Sequence, residues 1–585
     1  MRLLSWHDTR LEVGKVQTAV TADYQRVAQL LRAGGLRSFF SSSSPLADLN
    51  NLGHPPGYSI LWATIGTSTR IQFFQIAGDA LAAVMLFLIA AELVSLTAGA
   101  IAGFLAAFSP QFAWNSVLLL PDAISVLPVL VAIYLIARAV KNPRLWTFLV
   151  AGMFLGVSCW LRANLMLLTF FVALAVPFLV NIRGRNGETA RRKWKFALAV
   201  ICGTLLIVLP LTIRNAIVFR RFIPLSLGAG QTLLEGIADY DTEGKLGVPR
   251  TDVGIMKQEA EIYGRPDYYG TLFNPDGIER ERARLSRGFA VIGSHPLWFA
   301  GVMARRASSM VRMERSRLIA TDPPVTHSIA DIERIQPVWS GTPHELSIRG
   351  STLSSQTKTS LTADKEDYLA IAGDGSSYGD QFAAPSQSVI GNYDYVITAP
   401  IKVASGRMRL TMRSSSGKVC ASTIVEAVEM ISLNDQPADQ VFLPFVAPLG
   451  EQVRLVFSNE ASNPPNPTVL VGTMKLYELG PSRFLWTRYP RLVIRGIQKV
   501  FLTAMILPLA IAGLLILIFQ KQSRALMVLS IVPVYFFAVQ SIVHTEYRYV
   551  LAVDYFLFAF AGVTIVEAGR AIKRLFPPAS SQSNR

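Results

Sequence analysis

The stretch SPQFAWNSVLLLPDAISVLPVLVAIYLIAR, residues 109–138, decides how the chain is read. From Ala123 onward it stays apolar for close to the ~20 residues that cross the ~30 Å hydrocarbon core of a bilayer. It opens on Pro121-Asp122. Charge near bilayer depth is expensive and is therefore usually functional or paired. The reading is a membrane span with a carboxylate at its mouth.

Similar apolar runs lie on either side, at about 71–93, 98–117, 145–161, 163–181, 196–213, 500–519, 525–543 and 549–568. With 123–140 they make about nine spans. Of 585 residues 51% are hydrophobic and only 16% charged, and the mean hydropathy is +0.36. That is too apolar for a soluble protein. The net charge of +16 does not point to nucleic acid, because the basic residues are not gathered in one patch and many flank apolar runs. Cys159, Cys202 and Cys420 are scattered, form neither a disulfide framework nor a metal site, and are expected to act as buried small residues.

Lys and Arg in short loops mark the cytoplasmic side. Arg138, Lys141 and Arg144 share one connection, and Arg183, Arg185, Arg191, Arg192, Lys193 and Lys195 another. Lys521 and Arg524 form a third group, and Arg570, Lys573 and Arg574 follow the last span. Alternation of nine spans puts all four groups on one side, so the C-terminus is expected in the cytoplasm and residues 214–499 outside. Met1–Val20 contains no apolar run long enough for a signal peptide or span. Exporting the first ~70 residues without a preceding helix is unusual for a polytopic protein, which predicts a further helix upstream of Met1.

In the first outer loop, Tyr24, Val27, Ala28, Leu30 and Leu31 fall at helical spacing in TADYQRVAQLLRAGG, opposite Gln25, Arg26, Gln29 and Arg32. Gly34-Gly35 stops this helix, and HPPGY at 54–58 turns the chain back. Residues 214–330 are mixed, with a helix expected in EIYGRPDYYG and a helix pair in 279–317. That pair carries Arg280, Arg282, Arg284, Arg287, Arg305, Arg306, Arg312, Arg315 and Arg317. It is read either as helices lying on the membrane surface or as a solvated face paired with Glu279, Glu281 and Glu314. Further on, DYVITAPIKV, RMRLTMRS, QVFLPFV, EQVRLVFS and TVLVGTMKLYEL alternate apolar and polar residues between turns, as strands of a β-sandwich do.

The expected fold is thus a polytopic α-helical membrane bundle with an inserted extracytoplasmic β-sandwich. Its segments are 1–70, a first outer loop with the amphipathic helix; 71–213, the N-terminal stretch of the transmembrane bundle; 214–339, an outer helical region; 340–482, the β domain; 483–570, the C-terminal stretch of the bundle; and 571–585, a cytoplasmic tail.

Acids and arginines at the outer ends of spans are the candidates for chemistry. They are Asp23 and Asp48 in the first loop, Asp122, Arg162 in GVSCWLRANLMLL, Arg214-Asn215, and His544, Glu546, Arg548 and Tyr549 in HTEYRYVLA. Singly, each has a plainer reading: Arg162 as a snorkelling anchor, Asp122 as a helix cap, HTEYRY as an aromatic outer turn. No His/Asp cluster has metal-ligand spacing, so a divalent ion is admitted without support.

The order of these segments resembles the GT-C superfamily of membrane glycosyltransferases, in particular the bacterial family akin to protein O-mannosyltransferases and lipid A aminoarabinose transferases. The matching pieces are Tyr24…Ala28…Leu31…Gly34, HPPGY, residues 109–138, GVSCWLRANLMLL, LPLTIRNAIVFRRFIPLSLGAGQTLLEG at 209–236, HPLWF at 295–299 and EYRYVLA. The β-rich insert lies outside the resemblance. The resemblance implies an enzyme of the bacterial inner membrane that moves a hexose or pentose from a polyprenyl-phosphate sugar to an acceptor glycan, lipid or protein, with inversion. It implies an acid of the first outer loop as general base, here Asp23, with Asp122 at the acidic position of the second outer loop. Arg162, Arg214 and Arg548 take the donor-phosphate role, and Tyr24, His54, Asn215, His544, Glu546 and Tyr549 line the substrate cavity. The family's first-loop acid usually stands four residues before the tyrosine aligned with Tyr24, and that place is Val20 here. A lipid-linked-glycan flippase or transporter is the rival class, and few interior charges and no visible repeat argue against it. A non-catalytic membrane-anchored glycan-binding protein is the third, kept open by Val20.

Overall fold

A computed structural model describes the chain apart from residues 11–15, 18, 181–185, 315–317, 330–331, 364–366, 427–438, 461–465 and 576–585. Arg183, Arg185, Arg315, Arg317 and most of the tail expected at 571–585 therefore lie outside the described residues. The chain divides into two compact units, Met1–Ile319 with Ile494–Arg585, and Ala320–Val493.

The first unit is helical. It begins with α1 (Arg2–Thr9), α2 (Ala19–Phe39), α3 (Gly57–Ile65), α4 (Ser68–Leu93), α5 (Leu96–Phe108), α6 (Pro110–Asn115), α7 (Asp122–Ala139), α8 (Leu145–Leu161), α9 (Leu168–Leu179) and α10 (Asn186–Phe219). Then follow α11 (Ala229–Ala238), α12 (Asp252–Tyr263), α13 (Gly277–Ser294) and α14 (Pro296–Met310). Among the described residues, five helices are long and apolar enough to cross a membrane, six if the bent pair Leu485–Gln498 and Thr503–Phe519 is one span, and three shorter apolar helices accompany them. Among those residues the stretches read as spans are largely helical, and five or six of the nine are long and apolar enough to cross a membrane.

The run 98–117 shows why. It breaks after Phe108, where the Ser109 side chain caps a new helix with Pro110 in its first turn. Residues 116–121 are then irregular, and irregular backbone at this depth needs protein partners. Glutamines of α4 supply them. Gln72 Nε2 donates to the Val117 carbonyl at 2.7 Å, and Gln75 Nε2 donates to Leu118 and Leu120 at 2.8 and 3.0 Å. This pinned segment delivers Asp122 to the start of α7.

As expected, α2 buries Tyr24, Val27, Ala28 and Leu31. Its helical geometry fails at Gly35, which takes φ 64°, a left-handed value that glycine adopts without steric cost. The helix expected in EIYGRPDYYG lies earlier, as α12, because Gly264 closes it in the left-handed conformation and Pro266 follows. The arginines of α13 fit neither expectation cleanly. Arg280 and Arg284 are buried, and both pair with Glu259 of α12 at 2.7 and 2.6 Å. Glu314 accepts instead from Thr503. Arg282, Arg305 and Arg312 remain exposed.

The second unit carries the sandwich. Its elements are β1 (Trp339–Gly341), α15 (Pro343–Arg349), β2 (Ser351–Thr352), β3 (Lys358–Ala363), β4 (Asp367–Ala372), β5 (Asp380–Ala383), β6 (Gln387–Ser388), β7 (Tyr393–Ser405), β8 (Arg407–Ser414), β9 (Val419–Glu426), β10 (Asp439–Val446), β11 (Gln452–Asn459), β12 (Thr468–Val471) and β13 (Met474–Pro481). One sheet runs β1-β13-β7-β12-β4-β3 with β10 also on β7, the other β2-β5-β11-β8-β9 with β6 on β11. All described pairings are antiparallel, for example Leu410 opposite Phe457 and Ile397 opposite Leu476. Inward residues of both sheets, among them Ile397, Leu410, Phe445 and Phe457, form one core. The five alternating runs of the sequence are β7, β8, β10, β11 and β12–β13. The chain returns through α16 (Arg488–Gln498), α17 (Thr503–Phe519), α18 (Ser523–Val539) and α19 (Leu551–Leu575). The bundle core packs α4, α5, α7 and α19 through residues such as Leu86, Ala102, Val129 and Phe556.

Candidate functional site

Asp122 is the first residue of α7 and is buried. Arg162 lies at the end of α8, where the helix breaks before Ala163, so its side chain leaves the apolar helix toward the same point. Arg162 Nη2 pairs with Asp122 Oδ1. The guanidinium also stacks over the Tyr549 ring at 4.3 Å, and Arg548 approaches the same ring at 5.3 Å. Arg548 comes from the one-turn helix Tyr547–Val550 ahead of α19 and is held by Glu546 through Nε at 2.5 Å and Nη2 at 3.0 Å. Two arginines, an acid and a tyrosine from three separate regions of the chain thus surround one small cavity. Asn164, Ser125 and Phe536 are among the other residues that line it.

A groove beside it is lined by Asp23, Tyr24, Asn50, Asn51, His54 and Ser59. Tyr24 belongs to both sides. Its ring meets His54 and Tyr58 at 5.1 Å each, and its hydroxyl lies beside the Arg162 guanidinium. Burial pushes the Tyr24 hydroxyl above the usual tyrosine range. Burial, reinforced by the positive charge of Arg162 and Arg548, pulls His54 down to about 4. His54 is therefore a neutral imidazole at neutral pH. Tyr58 anchors this wall by donating to Gln75 Oε1 at 2.8 Å, the same glutamine that holds the segment leading to Asp122.

The expected residues separate into groups. Asp122, Arg162, Arg548, Tyr549 and Glu546 come together, and Tyr24 and His54 adjoin them. Asp23 is on the neighbouring groove, its side chain 55% exposed and paired with Arg26 at 3.1 Å. Val20 packs against the apolar cluster of Tyr24, Tyr58 and Leu119. Arg214 lies apart. Nε donates to the Phe39 carbonyl at 2.8 Å, Nη2 to Leu46 at 3.0 Å and Nη1 to Asn215 Oδ1 at 3.0 Å. Asn215 in turn donates to Ile223 and Leu225. His544 Nδ1 meets Asp239 at 2.7 Å. Asp48 caps the turn Leu49–Leu52 and accepts from Asn274 at 2.6 Å.

Sequence reasoning passed over Asn164, Ser125, Gln72 and Gln75. Polar residues at i and i+3 in the N-terminal half of α4, on the face that also carries Asp79, were the available signal for the two glutamines. Among the described residues, no group of three or more His, Cys, Asp or Glu side chains could hold a metal ion.

Residues 59–213 match the family model described as dolichyl-phosphate-mannose-protein mannosyltransferase. The matched stretch contains Asp122 and Arg162, and over it the resemblance to GT-C glycosyltransferases holds. A comparison with curated proteins found no match. Among solved structures, the archaeal oligosaccharyltransferase AglB from Archaeoglobus fulgidus, in complex with an inhibitory peptide and a dolichol-phosphate, is 11% identical; the likeness covers 100% of this chain and 51% of that one, at TM-score 0.39. This chain thus spans about half the length of that protein. Arabinosyltransferase EmbB from Mycobacterium smegmatis is 12% identical over 80% of this chain and 65% of that chain, at TM-score 0.22. A xylan-binding domain from Paenibacillus barcinonensis is 16% identical over 25% of this chain and 96% of its own length, at TM-score 0.19.

Proposed function

We propose that the chain is an integral membrane glycosyltransferase that passes a sugar from a polyprenyl-phosphate donor to an acceptor glycan, lipid or protein, with inversion at the anomeric carbon. The reaction is assigned to the extracytoplasmic face of a bacterial inner membrane, with residues 214–499 outside and the C-terminus in the cytoplasm. The placement of basic loops supports that orientation.

The observation that carries the reading is the convergence of Arg162 and Arg548 on the Tyr549 ring, with Asp122 beneath them. Two planar guanidinium groups facing one cavity suit a phosphate, which accepts bidentate hydrogen bonds. Both arginines are paired with carboxylates and not with backbone carbonyls, and at Arg548 an incoming phosphate exchanges one anion for another. Glu546, with a side chain 38% exposed, is free to swing away, whereas Asp122, 3% exposed, stays and positions Arg162. Fixed positive charge then stabilises the phosphate as it leaves.

Inversion puts the acceptor hydroxyl on the face of the sugar opposite that phosphate, so its base belongs across the sugar and not on the arginines. Asp23 on the adjoining groove suits this role. Its carboxylate takes the acceptor proton while the acceptor oxygen bonds the anomeric carbon and the bond to phosphate breaks, releasing polyprenyl phosphate. Neutral His54 and Tyr24 wall the sugar without adding charge.

The test uses purified protein and labelled polyprenyl-phosphate sugars. Asp23→Asn is expected to abolish transfer while leaving donor binding intact, and Asp122→Asn to weaken donor binding. Full transfer by Asp23→Asn moves the base elsewhere. A partly buried Val20 where the family's acid usually stands favours one rival, the glycan-binding protein, and that reading prevails if no form transfers sugar. Translocation of unchanged labelled lipid in vesicles would instead identify a flippase.

A further inference from the structure

The segment Phe484–Val493 of the second unit turns its chemistry inside out. A helix on the surface of a soluble domain buries its apolar stripe and shows its charges to water. Here the charges face inward. Arg491 is fully buried, its Nε donating to Thr487 at 3.1 Å and its Nη1 to the Ala320 carbonyl at 3.3 Å. Arg488 pairs with Asp322 at 2.9 Å and donates to Asn392 Oδ1 at 2.7 Å. The outward face is apolar: Trp486 is 69% exposed, Tyr489 79%, Leu492 56% and Val493 65%. A contiguous apolar patch of this kind marks a surface that something covers.

We propose that this face is embedded in the outer boundary of the lipid bilayer, making residues 484–493 an interfacial anchor for the β-rich unit. Two further observations name lipid as the occupant. After α16 the chain needs only residues 499–502 to enter α17, an apolar helix whose Met505, Ile511, Leu515 and Ile518 are exposed as lipid-facing side chains are. The outward face also carries Trp and Tyr, the residues that concentrate at membrane–water interfaces because their rings are apolar and their polar tips hydrogen-bond. The arginines do not snorkel to headgroups; they hold the helix to its own unit, so the apolar face is left for the bilayer. The inference is independent of the sugar-transfer reading, since it concerns the anchoring of a domain and not the chemistry of the cavity.

The full-length protein in vesicles of phosphatidylethanolamine and phosphatidylglycerol tests it. In a background of Cys159→Ser, Cys202→Ser and Cys420→Ser, an environment-sensitive fluorophore is attached at Leu492→Cys, at Val493→Cys and, as an aqueous control in the same unit, at Tyr378→Cys. Tyr378 is 63% exposed. Labels at 492 and 493 are expected to be quenched severalfold more by doxyl-labelled lipid than the label at 378, and severalfold less by iodide. Equal iodide quenching at all three positions would overturn the proposal by placing the helix in water. Shielding from both quenchers at 492 and 493 would also overturn it, because a protein surface would then cover the face. Unchanged thermal unfolding of each labelled variant shows that the comparison is made on folded protein.

Discussion

Arg162 and Arg214 carry the same sequence signal and meet different fates. Each stands at the end of an apolar helix, each is followed by a polar residue within two positions, and each is a candidate for a donor phosphate. Arg162 faces a carboxylate and an aromatic ring at a cavity. Arg214 has its donors on the carbonyls of Phe39 and Leu46 and on Asn215, with its guanidinium 4.6 Å from the Phe39 ring. A carbonyl of the protein's own backbone is a permanent partner, because nothing else can satisfy it in a buried place. Arg162 keeps its buried carboxylate while also lining a cavity, where an incoming anion can reach the guanidinium. The difference in partners is the ground on which phosphate binding is proposed for Arg162 and a structural role for Arg214.

The largest effect is expected at Arg162. Arg162→Ala would leave Asp122 buried without its cation and destabilise the fold by about 3–5 kcal/mol, which blurs any kinetic reading. Arg162→Lys keeps the charge and loses the planar fork. It is expected to lower kcat/KM by roughly 10²–10³-fold, as the loss of one preorganised donor does elsewhere, with a thermal midpoint close to wild type. Full activity in Arg162→Lys would show that a point charge suffices and would erase the distinction between the two arginines.

Arg214→Ala is expected to do the reverse. Removing it orphans two buried carbonyls, and hydrogen bonds to a charged group contribute about 1.5–3 kcal/mol each. A loss of roughly 2–4 kcal/mol in unfolding free energy is expected, with transfer per folded molecule changed by less than a few-fold. A large drop in kcat at unchanged stability would return Arg214 to the phosphate site.

The bundle and the sandwich were both legible in the sequence because their signals are local: apolar runs of span length, and alternation of period two. The candidate cluster was legible for a related reason, since charge at a span end is costly enough to mark itself. What stayed hidden is pairing across long separations. Arg2, in a stretch with no apolar run, is buried and pairs with Asp79 of α4, which also accepts from Tyr555 of α19 at 2.7 Å. Glu259 gathers Arg280 and Arg284, and no local pattern announces it. The break at Ser109-Pro110 was readable from turn chemistry, yet the apolar residues on either side of it read as one span. Periodicity reports which face is buried and leaves unsaid what that face meets.

A smaller effect separates Asp122 from its support. Gln75 holds the carbonyls of Leu118 and Leu120 and accepts from Tyr58, so it fixes both the approach to Asp122 and the wall behind Tyr24. Gln75→Leu, close in volume, is expected to cost about 2 kcal/mol of stability by leaving buried carbonyls unpaired. Transfer should fall by roughly tenfold through misplacement of Asp122 and Arg162. If stability falls and transfer does not, the irregular segment serves the fold alone.

The smallest effect concerns His54 and reaches the site through pH. The folded protein holds this imidazole at about 4, below the ~6.5 of an unfolded chain. Between those values the unfolded chain binds the proton that the folded chain refuses, so stability rises with pH through this window and falls as pH drops from about 6.5 toward 4. Above it both states are neutral and His54 contributes no pH dependence. His54→Gln removes the titration while keeping a polar group of similar reach, and is expected to flatten the thermal midpoint against pH across that window only. The cause is shared with the site: burial comes first, and Arg162 and Arg548 add their positive charge. Arg162→Gln should therefore flatten the same window to a lesser degree, whereas Arg214→Ala should leave its slope alone. An equal change from both arginines would mean that burial alone sets His54, and that the two guanidiniums are not distinguished by the electrostatics of the cavity.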